Sequence, residues 1–200
     1  MEELEHEGVL LRVPDDVYLP SDDSFLLSKH AKLLKGRFLD VGCGSGLVSL
    51  ANAKANPDND VLGVDINPSA VRASEMNASL NKITNARFQG SDLFGSLDDE
   101  LFDAIAFNPP YLPTMDDERL SSPINAAFDG GKNGRATLNR FLEGFNEHLR
   151  PGGTALVIHS SLNKPDQTVE KMRQLGLRTE VLEEKGFFFE KLIVLKASKP

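Results

Sequence analysis

Residues 102–113 read FDAIAFNPPYLP, and this stretch decides the fold. The mostly apolar run Phe102–Phe107 predicts a buried strand, and the run ends abruptly in the tetrapeptide Asn108–Tyr111. Proline fixes its own φ and biases the preceding residue toward extended geometry, so Asn108 is held in place before any ligand arrives. Open α/β sheets bind their ligands at the carboxyl ends of their strands. The stretch therefore predicts a binding site at one edge of a sheet.

Composition and charge exclude several classes of protein. The 200 residues are 40% hydrophobic and 26% charged, which suits a globular protein with a real core. Lys and Arg total 22 against 30 Asp and Glu, so the net charge is −8. A sequence-independent nucleic-acid binder needs a basic surface, and this balance disfavours one. The same charge suits a basic partner.

The cysteine and histidine content limits the disulfides and metal sites that the chain can form. Cys43 is the only cysteine, so we expect neither an internal disulfide nor a cysteine metal cluster. The four histidines are scattered along the chain, and we expect no metal. We find no signal peptide and no apolar run that could span a bilayer, so we expect a cytoplasmic protein without a membrane partner.

Strand and helix alternate from residue 22 onward. Predicted strands cover 38–41, 61–65, 86–89, 102–107, 154–158, 177–182 and 187–195, and predicted helices cover 22–34, 47–55, 67–80, 135–149 and 165–175. This order predicts a three-layer α/β sandwich, Rossmann-like, with a seven-stranded sheet that is mostly parallel and whose last strand is antiparallel. We expect one domain over residues 1–200, with residues 1–16 as a loose N-terminal segment. Residues 114–134 lack periodicity and predict a long loop that is functional or mobile.

A glycine loop follows the first predicted strand. Gly42, Gly44 and Gly46 are spaced G-x-G-x-G and precede a predicted helix. Glycines let the backbone approach a ligand, and a helix N-terminus offers free N–H groups. The third glycine of the dinucleotide fingerprint G-x-G-x-x-G is replaced by Leu47. Taken alone, the loop could be only a tight turn between strand and helix.

Three acids stand near the ends of predicted strands. Asp40 precedes the glycine loop and could pair with a ligand amine. Asp65 closes the second strand and could accept both hydroxyls of a ribose, or simply cap the next helix. Asp92 follows the third strand and could accept an adenine amino hydrogen. This combination, with the polar tip at Asn108, is hard to obtain by chance.

These motifs resemble those of the class I S-adenosylmethionine-dependent methyltransferases. Asp40–Gly46, DVGCGSG, is similar to their first motif, and the N-P-P-Y of Asn108–Tyr111 is similar to that of the subset that methylates planar amino groups. That subset contains adenine-N6, guanine-N2 and glutamine-N5 enzymes. N-P-P-Y alone therefore does not select a substrate.

The flanking segments narrow the resemblance to the release-factor glutamine N5-methyltransferases of eukaryotes and archaea, the HemK2/Mtq2 group of the HemK family. Val17–Leu27 is similar to their segment Y-x-P-x-E-D-(S/T)-F-L-L, and Gly130–Arg135 matches their G-G-x-x-G-R. The likeness runs from about Val17 to Leu195. Asp22 stands where glutamate is usual, and Leu19 stands where an acid is common.

The resemblance implies a cofactor, S-adenosyl-L-methionine, and a set of site residues. Cofactor contacts are expected from Ser24, Asp40, Gly42, Gly44, Gly46, Asp65, Asp92 and Asn108. Asn108, Pro109 and Tyr111 are expected to be catalytic, and Asn108, Pro109, Pro110 and Tyr111 are expected to bind the substrate. As a mechanism, the Asn108 side-chain oxygen and the Pro109 carbonyl would each accept one hydrogen of the target NH₂, while Tyr111 stacks on the planar group.

The resemblance also implies partners. The expected substrate is the glutamine of the GGQ motif in a peptide chain release factor, so the function would be protein methylation in translation termination. A small zinc-ribbon activator, Trm112, would add a strand beside residues 86–89. Direct action on nucleic acid is not expected.

Four other functions share parts of these motifs. An RNA or DNA exocyclic-amine methyltransferase, acting on adenine N6 or guanine N2, also has N-P-P-Y, but a chain at −8 suits a polyanionic substrate poorly. A protein lysine methyltransferase needs a base, which N-P-P-Y does not supply. A non-catalytic methyltransferase-fold subunit should tolerate loss of Asn108, Asp65 and the glycines, yet all are present. An NAD(P)-binding protein is disfavoured by the missing third glycine.

Overall fold

The computed structural model describes residues 1–111 and 130–200. The strands in this part of the chain are β1 (Glu2–His6), β2 (Val9–Val13), β3 (Arg37–Val41), β4 (Asp60–Asp65), β5 (Ala86–Gly90), β6 (Phe102–Phe107), β7 (Leu149–Ser160), β8 (Arg178–Gly186) and β9 (Lys191–Ser198). The helices are α1 (Asp22–Ala31), α2 (Leu47–Ala55), α3 (Pro68–Leu80), α4 (Ala136–Gly144) and α5 (Pro165–Gln174), with a 3₁₀ turn at Ser161–Asn163.

Seven of these strands form one sheet in the order β5-β4-β3-β6-β7-β9-β8. The pairs from β5 to β7 are parallel, and β9 is antiparallel to both of its neighbours. The predicted fold class is confirmed. Successive strands run outward in one direction from β3 to β5 and in the other from β6 to β7, while β9 lies between β7 and the edge strand β8. The carboxyl ends of β3 and β6 therefore flank a topological switch point, where open α/β sheets form a binding crevice.

Helices cover both faces of the sheet because its central strands are apolar on both sides. On β6, Ala104 and Ala106 pack in the cluster that includes α1 and α2, whereas Ile105 and Phe107 pack in the cluster that includes α4 and α5. All four side chains are at most 2% exposed. Near-continuous apolar character is typical of a parallel strand covered on both faces. This burial fixes the position of Asn108 at the end of β6.

The N-terminal region differs from the expectation of a loose segment over residues 1–16. Its strands β1 and β2 form an antiparallel hairpin that lies outside the main sheet. The carboxamide of Asn81 on the end of α3 bonds both the N–H and the carbonyl of Leu10, and Asn77 does the same for Arg12. These two side chains make the hydrogen bonds to the backbone of β2 that a neighbouring strand would otherwise make. The hairpin is therefore held on α3 by contacts that lie about 65 to 71 residues away in the chain.

Element boundaries in the C-terminal half also differ from the prediction. Helix α4 ends at Gly144 rather than at residue 149, and β7 begins at Leu149 rather than at residue 154. Its register against β6 shifts between Phe102 and Ala104. The last hairpin turns at residues 187–190, because β8 continues to Gly186 and β9 begins only at Lys191. Residues 187–190 were expected in the last strand.

The predicted loop at 114–134 falls mostly outside the described residues, as do Leu112 and Pro113. The described end of the loop is a turn that leads into α4. In the part of the chain that the structure describes, no helix is long and apolar enough to cross a membrane.

Candidate active site

A cavity of about 690 Å³ lies at the switch point of the sheet. It is large enough for a nucleoside-sized ligand together with a substrate side chain. Among the predicted site residues, those that line it are Ser24, Asp40, Gly42, Gly44, Asp65, Asp92, Asn108, Pro109, Pro110 and Tyr111. The fold thus brings together side chains from residues 24 to 111.

The glycines of the loop after β3 divide into two kinds. Gly42, Gly44 and Gly46 all have positive φ, at 66°, 56° and 90°. A Cβ on Gly44 would meet nothing within 4 Å, whereas a Cβ on Gly46 would lie 2.9 Å from the Ser74 hydroxyl oxygen. Gly44 therefore faces open space where a ligand can approach. Gly46 is not among the cavity-lining residues, and close packing against α3 accounts for it.

Asp65 connects the end of β4 to the glycine loop. Its Oδ2 accepts a hydrogen bond from the Gly44 N–H at 2.9 Å, and its Oδ1 accepts from the Asn67 N–H at 2.8 Å. Burial raises the pKa of this carboxyl above its ordinary value. Ile66, the next residue, lines the cavity although its side chain is 55% exposed. In this arrangement the acid can accept hydrogen bonds from ribose hydroxyls while the apolar side chain after it packs against a flat ring.

Asp92 lies across the cavity and forms an ion pair that the sequence did not indicate. Its Oδ2 accepts from the Arg140 guanidinium at 2.8 Å, and both residues line the cavity. Leu93 follows Asp92 and also lines the cavity, in the same arrangement as Ile66 after Asp65. The two apolar side chains would have been found by looking one residue past each strand-ending acid.

Asp40 is buried beneath the glycine loop, with 2% of its surface exposed. Its Oδ2 accepts from the N–H and the hydroxyl of Ser49 at 3.0 and 2.6 Å. Burial raises the pKa of the Asp40 carboxyl to about 7, and the two hydrogen bonds only partly offset that effect. A cationic amine from a ligand would favour the ionised form of this buried carboxyl and pair with it.

We expect cofactor affinity to depend on pH through Asp40. Below pH 7 this carboxyl carries a proton, which must leave before the carboxylate can pair with an ammonium group. Affinity should therefore fall about tenfold, at most, for each pH unit below 7, and it should stop rising above 7, where the carboxylate is already formed and the ligand's amine begins to lose its own proton. Titration calorimetry at pH 6.0, 7.0 and 8.0 measures this. Asp40→Asn should bind more weakly and flatten the profile; equal wild-type affinity at pH 6.0 and 8.0 would exclude the pairing.

The Asn108 carboxamide has its orientation fixed by its neighbours. Its Nδ2 donates to the Ser24 hydroxyl at 3.5 Å, and that hydroxyl donates in turn to Asp23 Oδ1 at 3.1 Å. Because a carboxylate only accepts, the Ser24 hydroxyl must accept from Asn108. Among the residues that the structure describes, the buried Asn108 Oδ1 has no hydrogen-bond partner. A buried acceptor without a partner is costly, so this atom is available for a donor on a ligand.

Asp23 is the residue that sequence reasoning missed. It is 3% exposed, and its carboxylate accepts from the hydroxyls of Tyr18 and Tyr111 at 3.0 and 3.2 Å as well as from Ser24. Burial, and then the negative charge of Asp23, raise the pKa of both tyrosines, which keeps them protonated as donors. One carboxylate therefore holds Tyr111 and, through Ser24, Asn108.

Replacing Asp23 by asparagine should lower the turnover number about tenfold or more, because the amide cannot accept from all three hydroxyls at once and Asn108 loses its fixed orientation. Steady-state kinetics at saturating cofactor measures this. The matched control is Asp22→Asn, which removes a half-exposed acid from the same helical turn; in the described structure Asp22 forms a surface ion pair with Lys185. An unchanged turnover number in Asp23→Asn would show that Asp23 positions neither group.

The G-G-x-x-G-R segment supports the same corner of the site. A Cβ on Gly134 would clash with the Tyr111 carbonyl oxygen, so the backbone of this turn packs directly on residue 111. Arg135 is 3% exposed and donates to the carbonyls of Asn163 and Lys164 and to the Thr168 hydroxyl. It ties the turn to the start of α5. These contacts give the segment a structural role beside Tyr111.

The cavity as a whole fits a cationic nucleoside ligand. Gly44 leaves room for it, and the carboxyls of Asp40 and Asp65 offer acceptors for an amine and for ribose hydroxyls. Residues 21–189 of the chain match the model of the methyltransferase small domain. The chain belongs to this methyltransferase family. It is an enzyme, and its methyl donor is S-adenosyl-L-methionine.

Relatives of this methyltransferase cover nearly its whole length. A Methanocaldococcus jannaschii protein, provisionally named a protein N5-glutamine methyltransferase, is 42% identical over 195 residues, 97% of this chain and 98% of the relative. Methyltransferase HEMK2 of Homo sapiens is 32% identical over 194 residues, 92% of this chain and 90% of the relative. Mtq2 of E. cuniculi, solved as a complex with Trm112 that is described as responsible for methylation of the eRF1 termination factor, superposes with a TM-score of 0.70 at 24% identity, covering 92% of this chain and 99% of that one.

Proposed function

We propose that this methyltransferase methylates the side-chain nitrogen of a glutamine in a protein, namely the GGQ glutamine of a peptide chain release factor. The observation that carries the proposal is the Asn108 carboxamide: the residue lines the cavity, and its buried Oδ1 has no hydrogen-bond partner among the described residues. Such an acceptor suits an NH₂ donor. The relatives' names, which include N5-glutamine methyltransferases, support the choice of a glutamine among the NH₂ groups of proteins and bases.

In this proposal the chain supplies binding and orientation. The Asn108 Oδ1 and the Pro109 carbonyl each accept one hydrogen of the glutamine NH₂, and Tyr111 covers the planar amide. Two acceptors fix the nitrogen and favour localising its lone pair away from the carbonyl. Holding a nucleophile in this way can contribute roughly 7–11 kcal/mol to lowering the barrier in favourable cases. The bound S-adenosyl-L-methionine supplies an electrophilic methyl group on a sulfonium.

The cofactor side of the site is proposed from the same geometry. Asp40 pairs with the ligand amine, Asp65 accepts from the ribose hydroxyls, and Asp92 accepts from the adenine amino group. Gly42 and Gly44 provide close backbone approach, and Ser24 lies beside Asn108. Gly46 shapes the loop from behind rather than from within the cavity.

Lysine is a poorer fit than glutamine. A lysine ammonium must lose a proton before it can attack, and neutral Asn108 is not a base. The described residues that line the cavity include no histidine and no lysine. A planar amide or aromatic amine needs no prior deprotonation.

The test is mass spectrometry of a release factor after incubation with S-adenosyl-L-methionine. We expect one added methyl group, mapped to the GGQ glutamine, and none on a substrate variant in which that glutamine is alanine. Total RNA and a lysine-rich protein serve as parallel acceptors with labelled cofactor. Methylation of RNA or lysine with none on the release factor would overturn the proposal.

We propose further that a Trm112-like zinc-ribbon subunit adds a strand to β5. This strand is the edge of the main sheet in the described structure, so one side of its backbone is open to pairing. Its exposed Arg87 forms an ion pair with Asp60, so this part of the edge is polar. The proposal therefore rests on backbone pairing and not on an exposed apolar surface. Size-exclusion chromatography of the mixed proteins should show a 1:1 complex, and Gly90→Pro should weaken it.

A further inference from the structure

Two adjacent phenylalanines lie on the surface beside the active site. Phe188 and Phe189 are 91% and 84% exposed, which makes them the most exposed large apolar side chains among residues 1–111 and 130–200. Their rings meet edge to face with centroids 4.6 Å apart. Single exposed apolar residues are common, but an adjacent aromatic pair with almost full exposure is a feature of interaction sites.

The turn that carries this pair is firmly held. The Phe187 N–H donates to the Glu190 carbonyl at 2.7 Å, which closes the turn between β8 and β9. The Glu190 carboxylate accepts from the Ser160 hydroxyl at 2.6 Å, and the Lys191 N–H donates to the Ser161 hydroxyl at 3.0 Å. The rings are therefore presented at a fixed place rather than on a free chain. Such preorganisation lowers the entropic cost of docking a partner.

The position of the turn links it to the cavity. Ser160 ends β7, so the turn lies at the carboxyl edge of the sheet, the edge that also carries Asn108. Glu190 lines the cavity, and Phe189 is the residue before it. A macromolecule that inserts a side chain beside Asn108 approaches the same edge of the sheet that carries the two rings. The two rings stand where the body of such a substrate would rest.

Charge indicates the chemistry of the partner. The described residues that line the cavity include six acids, namely Asp16, Asp23, Asp40, Asp65, Asp92 and Glu190, but only one basic residue, Arg140. The whole chain carries −8. At this net charge, long-range electrostatics favour a partner with basic side chains and disfavour a polyanion.

We propose that Phe188 and Phe189 form a docking site for the protein substrate itself, on an apolar patch of that substrate flanked by basic side chains. The proposal rests on the proposed function, since it takes the release factor as the occupant. It assigns the aromatic pair to substrate affinity and not to chemistry. Aromatic side chains of this kind commonly dominate the binding energy of an interface.

The test compares a full-length release factor with a short peptide that spans its GGQ motif. In the double variant Phe188→Ser/Phe189→Ser, the KM for the full-length protein should rise about tenfold or more, because the rings no longer bury apolar area. Turnover of the peptide and the dissociation constant of the cofactor should stay unchanged. The matched control is Leu33→Ser, since Leu33 is 67% exposed just beyond the far end of α1. It should leave both substrates unaffected.

Four results would overturn the docking site. The first is an unchanged KM for the full-length protein in the double variant. The second is an equal loss with the peptide, which would place the rings in the pocket. The third is a wild-type dimer in sedimentation that the double variant abolishes, since the occupant would then be a second copy. The fourth is a wild-type enzyme inactive on release factor, which removes the proposed function and the docking site together. The first three leave the proposed function standing.

Discussion

Replacing Asn108 by alanine is expected to reduce turnover about 1000-fold while leaving cofactor affinity within about threefold. The variant removes the buried Oδ1, which has no partner in the described part of the chain and which we assign to the target NH₂. Without it, the nucleophilic nitrogen is free to rotate and its lone pair stays delocalised. The cofactor keeps its carboxylates at Asp40 and Asp65. Single-turnover methylation and titration calorimetry measure the two quantities separately.

A second variant distinguishes the orientation of the Asn108 carboxamide from the presence of its Oδ1 acceptor. Ser24→Ala leaves the Asn108 Oδ1 in place but removes the hydroxyl that accepts from its Nδ2. The carboxamide can then flip, so turnover should fall about tenfold, between wild type and Asn108→Ala. Wild-type turnover in Asn108→Ala would eliminate the proposed mechanism. A cofactor affinity that falls as far as turnover would instead make Asn108 a cofactor ligand only.

The fold and much of the site follow from local sequence because the deciding signals are local. The alternation of apolar strand runs with helical periodicity gives the parallel sheet, and polar residues at strand ends fall at one edge by geometry alone. Asp65 and Asn108 are each identified from the strand that they end or follow, and Asp40 is identified from the glycine loop that it precedes. None of these assignments depends on a distant part of the chain.

The features missed by sequence reasoning depend on contacts between distant segments. The hairpin at residues 2–13 looks irregular and acidic, yet Asn77 and Asn81 on α3 complete its hydrogen bonding. Asp23 reads as an ordinary acid in the first turn of a helix, and only the fold brings Tyr111 to it across 88 positions. Phe187 to Phe189 have the composition of a buried strand. Their exposure depends on where β8 ends, which local pattern does not fix.

Replacing Asp65 by alanine is expected to weaken S-adenosyl-L-methionine binding about 100-fold or more, because two hydrogen bonds to a charged acceptor are lost, each worth about 1.5–3 kcal/mol. The same carboxylate also holds the N–H groups of Gly44 and Asn67, so a plain loss of affinity has two explanations. The loop could have moved, or the ribose could have lost its acceptor. Calorimetry of the single variant does not distinguish them.

A cycle with a modified ligand does distinguish them. S-adenosylhomocysteine and its 2′-deoxy analogue differ only in one ribose hydroxyl. Wild type should prefer the parent ligand about tenfold, and Asp65→Ala should bind both alike, because the partner of that hydroxyl is gone. Asp65→Asn, which keeps one acceptor oxygen, should fall between the two. If Asp65→Ala still discriminates between the ligands as wild type does, then Asp65 acts only on the glycine loop, and the ribose must find its acceptor elsewhere in the cavity.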